Sequence, residues 1–312
     1  LALYPAHGES AEALFASADI ALYAAKAGGR RKLSLFNPLL KARIERQRLI
    51  EATLAEALEK QMLQVFFQPQ VELDGGRVTG FEALLRWTHD ALGAVSPPDI
   101  VRAAQALHMS TALTAYVATR AARLLQALPG YGLPDAAVAI NVSPREFSGD
   151  TLSRLLIDIT QQHDVPPSRM EIEITEEATL DTQTADAELA RLEAAGFRLA
   201  VDDFGMGHSS LAYIVSLHID RLKIDRSFVR GIETSRQNQT LISALIGIGK
   251  ALSIDIVVEG VENEAEARML QSLGCRQAQG YHYARPMEAA DIPGWLAQHA
   301  ERFARQPAPD AS

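Results

Sequence analysis

The chain changes its hydrophobic rhythm near residue 63. Before that point apolar residues recur at helical spacing: Leu14, Ala18, Leu22 and Ala25 within Ala11–Ala27, then Ile50, Leu54 and Leu58 within a stretch from about Leu39 to Met62. Gly28-Gly29 closes the first segment and Pro38 opens the second. Beyond it the runs shorten. Val65–Val71 and Val78–Trp87 flank the turn Leu73-Asp74-Gly75-Gly76, which predicts a hairpin. After Pro97-Pro98, strand-like runs at 136–142, 170–174, 197–204, 221–225, 255–261 and 276–280 alternate with helical patterns at 143–163, 184–195, 209–216, 238–252 and 263–273. Short buried strands separated by helices pair in parallel. With the hairpin there are about eight strands in the 252 residues from Gln61 onward, the size of a barrel of this kind. The expected fold is therefore α/β, a (β/α)₈ TIM-like barrel. A doubly wound open sheet is the alternative; it would carry a Gly-rich loop after its first strand, and none is present.

Composition narrows the field. The chain has 312 residues, 47% of them hydrophobic, which excludes disordered and collagen-like classes. One cysteine, Cys275, excludes a disulfide framework or a multi-Cys metal site and reads as a buried small hydrophobe. The eight histidines show no metal-binding spacing. No apolar run approaches a membrane span, so a cytoplasmic domain is expected, with any inner-membrane tether in upstream regions. The formal charge of −9 is unevenly placed: the first fifty residues carry +4, leaving −13 for the rest. That balance argues against a nucleic-acid polymer as partner.

Part of this acidity lies inside the strands. Glu82, Glu173, Asp202, Asp203 and Glu259 fall in buried strand patterns, mostly near their C-terminal ends, together with Asn141, Lys223 and Gln279; Glu176 follows the same strand as Glu173. Charges there are costly unless paired or metal-bound, and barrel active sites lie at that end. Oxygen-only ligands select hard cations such as Mg²⁺ or Mn²⁺. Five carboxylates and an amide exceed what one such ion takes from protein, so two ions per site fit better, with Asp202-Asp203 suited to bridging. Two such ions are the usual apparatus of phosphoester hydrolysis. Beside them, Lys223 would have its pKa lowered and could take a proton from water. The Asp203-Phe204-Gly205 triplet is not a kinase motif here, because the other kinase signatures are missing.

Set in order, the motifs Phe67-Gln68-Pro69, Gly80-Phe81-Glu82-Ala83-Leu84-Leu85-Arg86-Trp87, Asn141-Val142-Ser143, Glu173-Ile174-Thr175-Glu176, Asp202-Asp203-Phe204-Gly205, Leu222-Lys223-Ile224-Asp225, Glu259-Gly260-Val261-Glu262 and Gln279-Gly280-Tyr281 closely resemble the signature of EAL-domain cyclic-di-GMP phosphodiesterases. Residues 1–31, with Ala18-Asp19-Ile20-Ala21-Leu22-Tyr23-Ala24-Ala25-Lys26, resemble the C-terminal end of a GGDEF (diguanylate cyclase) domain without its catalytic half. The organisation so implied is a GGDEF remnant over 1–37, a linker helix over 38–62, the barrel over 63–305 and a tail over 306–312, with upstream GGDEF and sensor regions outside this chain.

The resemblance implies a barrel with an antiparallel first strand, in agreement with the hairpin. It implies bacterial second-messenger signalling by hydrolysis of cyclic di-GMP to linear pGpG with Mg²⁺ or Mn²⁺, and a homodimer. By motif match, Glu82, Asn141, Glu173 and Asp202 hold one metal, and Asp202, Asp203 and Glu259 the second. Lys223 assists the attacking water, Gln279 helps to position it, and Gln68, Leu84 and Arg86 contact substrate. Glu176 holds the loop from Asp203 to Ser210. The chain departs from the family pattern at Met206 and His208 in that loop, at Gln105 and at Val258. No metal ligand is lost. The loop changes keep a second reading in view, a catalytically weak or inactive cyclic-di-GMP receptor.

Overall fold

The computed structural model describes residues 1–27, 33–175, 183–205 and 218–304. The expected strands form: β1 (Gln64–Glu72), β2 (Val78–His89), β4 (Ala137–Asn141), β5 (Met170–Thr175), β6 (Arg198–Phe204), β7 (Arg221–Ile224), β8 (Asp255–Val258) and β9 (Gln277–Gln279). A short β3 (Gly93–Val95), which the sequence pattern does not mark, pairs only with the end of β2.

Around the sheet the order is β1-β9-β8-β7-β6-β5-β4-β2, and β1 also pairs with β2, so eight strands close on themselves. The fold is the expected α/β barrel, and β1 runs antiparallel to both its neighbours while the remaining pairs are parallel. The hairpin turn explains the reversal. Gly75 and Gly76 have φ +73° and +67°, the left-handed pair that a tight hairpin requires and that glycine adopts without strain.

The chain divides into two compact units, residues 1–63 with 87–109, and 64–86 with 110–312. The first holds α1 (Ala11–Ala27), α2 (Pro38–Glu59) and α3 (Pro97–Ala106). Asn37 caps α2, its Oδ1 accepting from Leu40 N at 2.7 Å, with Pro38 at the first helical position. Ile50 and Leu54 of α2 are fully buried, and α2 packs against both α1 and α3.

The second unit holds the barrel and α4 (Ser110–Ala127), α5 (Thr151–Gln162), α6 (Gln183–Ala194), α7 (Arg236–Leu252), α8 (Glu264–Ser272) and α9 (Ile292–Ala304). The helix expected over 143–163 starts later, at Thr151, after a 3₁₀ turn and Gly149. That expected over 209–216 lies outside the described residues. The strand expected over 255–261 stops at Val258, because Gly260 turns to φ +71° and packs against Arg226.

The barrel wall is built of Val, Ile, Leu and Ala, with Val138, Ile140, Ile172, Val201, Ile224 and Val257 excluded from solvent. Where β9 ends, Gly280 lies so close to the chain continuing from β8 that an added Cβ would sit 2.1 Å from Val261 O. Gly280→Ala should therefore destabilise the barrel by about 2–3 kcal/mol, read as a lowered melting temperature or a lowered urea midpoint.

Candidate functional site

The expected residues converge where β2, β4, β5, β6, β7 and β9 approach their C-terminal ends. Strand periodicity does the local work: with side chains alternating between faces, Glu82 on β2, Glu173 on β5 and Lys223 on β7 point inward between outward-facing apolar neighbours. Register brings them level. Asn141 stands directly beside Glu173, and Gln68 of β1 directly opposite Glu82.

At the centre is Lys223, fully buried. Its Nζ lies 2.7 Å from Glu173 Oε1, 2.7 Å from Glu259 Oε1, 3.2 Å from Asp202 Oδ1 and 3.4 Å from Glu82 Oε2. Asn141 Nδ2 donates to Glu82 Oε1 at 2.9 Å and to Glu173 Oε2 at 3.1 Å. Gln279 Nε2 donates to Glu82 Oε2 at 2.6 Å and to Gln68 Oε1 at 3.2 Å; Gln68 Nε2 in turn donates to Ala284 O. Asp203 sits on the exposed rim with φ +53°, its amide held by Asp202 Oδ1 at 2.9 Å.

The charges respond to this crowding. Burial opposes the charged form of Lys223, but Glu173, Glu259, Glu82 and Asp202 together hold its pKa well above the ordinary lysine value. Lys223 is thus a fixed cation when no metal is present, and the lowered pKa expected from the sequence would need metal charge beside it. Burial also works against ionised Glu82, yet Lys223, Gln279 and Asn141 bring its pKa below the usual range. Glu173 is raised well above that range by burial and by Glu82, against the pull of Lys223. Burial pushes Glu259 up to about 8, with Lys223 opposing and Asp202 and Glu82 adding. The partly enclosed carboxyl of Asp203 is raised by burial and by Asp202.

Two carboxylate triads have the reach to hold cations. In each of Glu82-Glu173-Asp202 and Asp202-Asp203-Glu259 the ligand oxygens lie within 4.8 Å of one another, and the triads share Asp202. The donors are all oxygen, the set that hard divalent ions prefer. Asn141 would join the first set by turning its amide to present Oδ1.

Leu84 and Arg86 follow Glu82 along the same face of β2, half-buried, toward the mouth. Arg86 Nη1 donates to Leu85 O, and its guanidinium lies 6.0 Å from the Phe66 ring centroid. Glu176, Met206 and His208 lie outside the described residues. Sequence reading passed over Glu171 and Arg221, which meet inside the barrel at 3.0 Å. Their signal was the same as that of Glu173 and Lys223: charge within a buried strand.

The family model for the EAL domain matches residues 51–286. MucR of Pseudomonas aeruginosa, named a bifunctional diguanylate cyclase/cyclic di-GMP phosphodiesterase, is 34% identical over 295 residues, covering 94% of this chain and 43% of that protein. The cyclic di-GMP phosphodiesterase NbdA of the same organism is 34% identical over 309 residues, covering 98% of this chain and 39% of NbdA. The chain therefore spans less than half the length of these curated relatives. Among solved structures, that of the PaMucR phosphodiesterase in complex with c-di-GMP superposes with a TM-score of 0.73 at 32% identity, over 78% of this chain and 99% of that one. The EAL enzyme Bd1971, bound to cAMP and cyclic di-GMP, gives a TM-score of 0.76 at 29% identity, over 81% of this chain and 70% of that one.

Removing the central cation should expose its cost. Lys223→Met leaves four acids facing one another and should lose about 3–5 kcal/mol in chelator-treated buffer. Denaturant unfolding measures it; wild-type stability in the variant would mean that the four ion pairs contribute nothing.

Proposed function

The chain belongs to the EAL-domain family, and from that premise we propose that it is a two-metal phosphodiesterase that opens one phosphodiester of cyclic di-GMP to give linear pGpG. The observation that carries this reading is the pair of carboxylate triads sharing Asp202 around a buried lysine. The names of MucR and NbdA, and the cyclic di-GMP in the PaMucR structure, supply the substrate.

Glu82, Asn141, Glu173 and Asp202 would hold one divalent ion, Mg²⁺ or Mn²⁺, and Asp202, Asp203 and Glu259 the other. Bound there, such ions supply charge for the anionic diester and acidify water. The remaining steps belong to the protein. Metal charge beside Lys223 would lower its pKa so that the neutral amine takes the proton the attacking water gives up; the ammonium so formed faces the negative charge developing on the phosphoryl oxygens and returns the proton to the leaving oxygen. Gln279, fixed between Gln68 and Glu82, orients the attacking water through its amide. Arg86 at the mouth pairs with a substrate phosphate and Leu84 packs against a base, while Gln68 keeps Gln279 in place and lines the substrate side.

The substrate's two phosphates are negative and so is the mouth; the metal charge makes the acids a cradle rather than a barrier. No helix among the described residues is long and apolar enough to cross a membrane. The reading concerns the barrel alone, and for residues 1–27 we propose no catalytic part.

Purified protein incubated with cyclic di-GMP and Mn²⁺ should release pGpG, followed by chromatography, and a chelator should stop it. Glu82→Ala should abolish turnover. Lys223→Ala should lower kcat by about 10²–10⁴-fold with a smaller effect on KM. Binding of cyclic di-GMP without any pGpG would replace the phosphodiesterase by a receptor.

A further inference from the structure

Beneath the acidic mouth lies a second buried polar layer that the reaction above does not use. Arg221 stands two residues before Lys223 on β7, and Glu171 two before Glu173 on β5, so each shares an interior face with its partner. Gln70 stands two residues after Gln68 on β1; because β1 runs the opposite way, it too lies one layer down. Arg221 Nη1 donates to Gln70 Oε1 and to Glu171 Oε1, both at 3.0 Å. The three are 4%, 1% and 0% exposed, respectively. Below them a cavity of about 200 Å³, lined by Glu171, Arg221, Arg198, Asp220 and Asp255, marks the floor of the barrel.

Such a layer is poor material for stability. Desolvating a guanidinium and a carboxylate offsets their attraction, and apolar side chains of similar volume do as well or better. The network is also unsaturated: Gln70 Nε2, Glu171 Oε2 and Arg221 Nε find no hydrogen-bond partner among the described residues. A half-satisfied network is worse than an apolar core.

What the layer does supply is distance. β5 and β7 are not neighbours, since β6 lies between them, and no backbone bond joins them directly. Two side-chain pairs span them: Glu173–Lys223 at 2.7 Å in the upper layer and Glu171–Arg221 at 3.0 Å in the lower. The upper pair is made of groups assigned to metal and to water. The lower pair touches neither, and through Gln70 it is anchored to β1 as well.

We propose that Arg221, held by Glu171 and Gln70, is a positioning residue that sets the spacing of β5 and β7 and so places Lys223 against Glu173 for phosphodiester hydrolysis. The inference rests on the phosphodiesterase reading. It is tested with the paired variant Arg221→Met/Glu171→Leu, which leaves no lone buried charge, and with Arg221→Lys, which keeps the charge but not the forked donor.

Wild-type turnover, measured alongside, judges the phosphodiesterase reading by itself. With turnover present, the paired variant should lose about 10- to 100-fold in kcat, with KM within about threefold and a folded circular-dichroism spectrum, and Arg221→Lys should fall between. Wild-type kcat in a folded paired variant overturns the proposal. Should that variant fail to fold, wild-type kcat in Arg221→Lys overturns it instead. With no wild-type turnover, Mn²⁺ titration calorimetry decides: binding about 10-fold weaker in the altered protein supports the proposal, and equal affinity overturns it.

Discussion

Lys223 reaches four carboxylates on β2, β5, β6 and the end of β8, and the mouth of the barrel is organised around that one ammonium. Four acids brought into a dry interior repel one another, and the folded state admits them only with compensating charge. One lysine compensates part. The raised positions of Glu173 and Glu259 show the remainder: burial and the neighbouring carboxylates outweigh the pull of the lysine each of them touches. Asn141 and Gln279 fit the same arrangement, each donating into carboxylate oxygens that Lys223 does not saturate. A site so short of positive charge is suited to a cation, and the two carboxylate triads with the reach to hold one share Asp202.

The reversed first strand contributes in a different way. In the mouth layer β1 supplies an amide, Gln68, and in the layer below another, Gln70. Neither adds charge. Both accept hydrogen bonds from residues that matter, Gln279 above and Arg221 below, so the strand that breaks the parallel pattern ties both layers to one wall.

Much of this was legible in the sequence for a single reason: a charged side chain in an apolar strand is too costly to be incidental. Glu82, Glu173, Lys223 and Asp202 announced themselves that way, and the Gly75-Gly76 turn announced the hairpin that reverses β1. What periodicity gives is the face a residue occupies, not the level at which strands align across the barrel, so the meeting of Glu171 with Arg221 was not legible although both carried the same signal. Helix α4 escaped notice because its buried face is rich in alanine, including Ala118, Ala121 and Ala122, which gives little hydrophobic contrast. The early end of β8 escaped because Glu259 N still bonds to Ile224 O, while the turn is made by Gly260 and its contact with Arg226. The charge state of Lys223 depends on what else occupies the mouth, which no sequence states.

The hairpin has a mechanical side. The chain passes from one compact unit to the other three times: between Leu63 and Gln64, between Arg86 and Trp87, and between Met109 and Ser110. Gln64 and Arg86 are direct partners across β1 and β2, so the first two passages lie on one rung of the ladder. In a barrel of wholly parallel strands the first strand would begin at the floor; here it begins at the mouth. That rung bears Arg86 and stands two residues along each strand from Leu84 and Phe66, at the opposite end of β1 from the Gln70 layer.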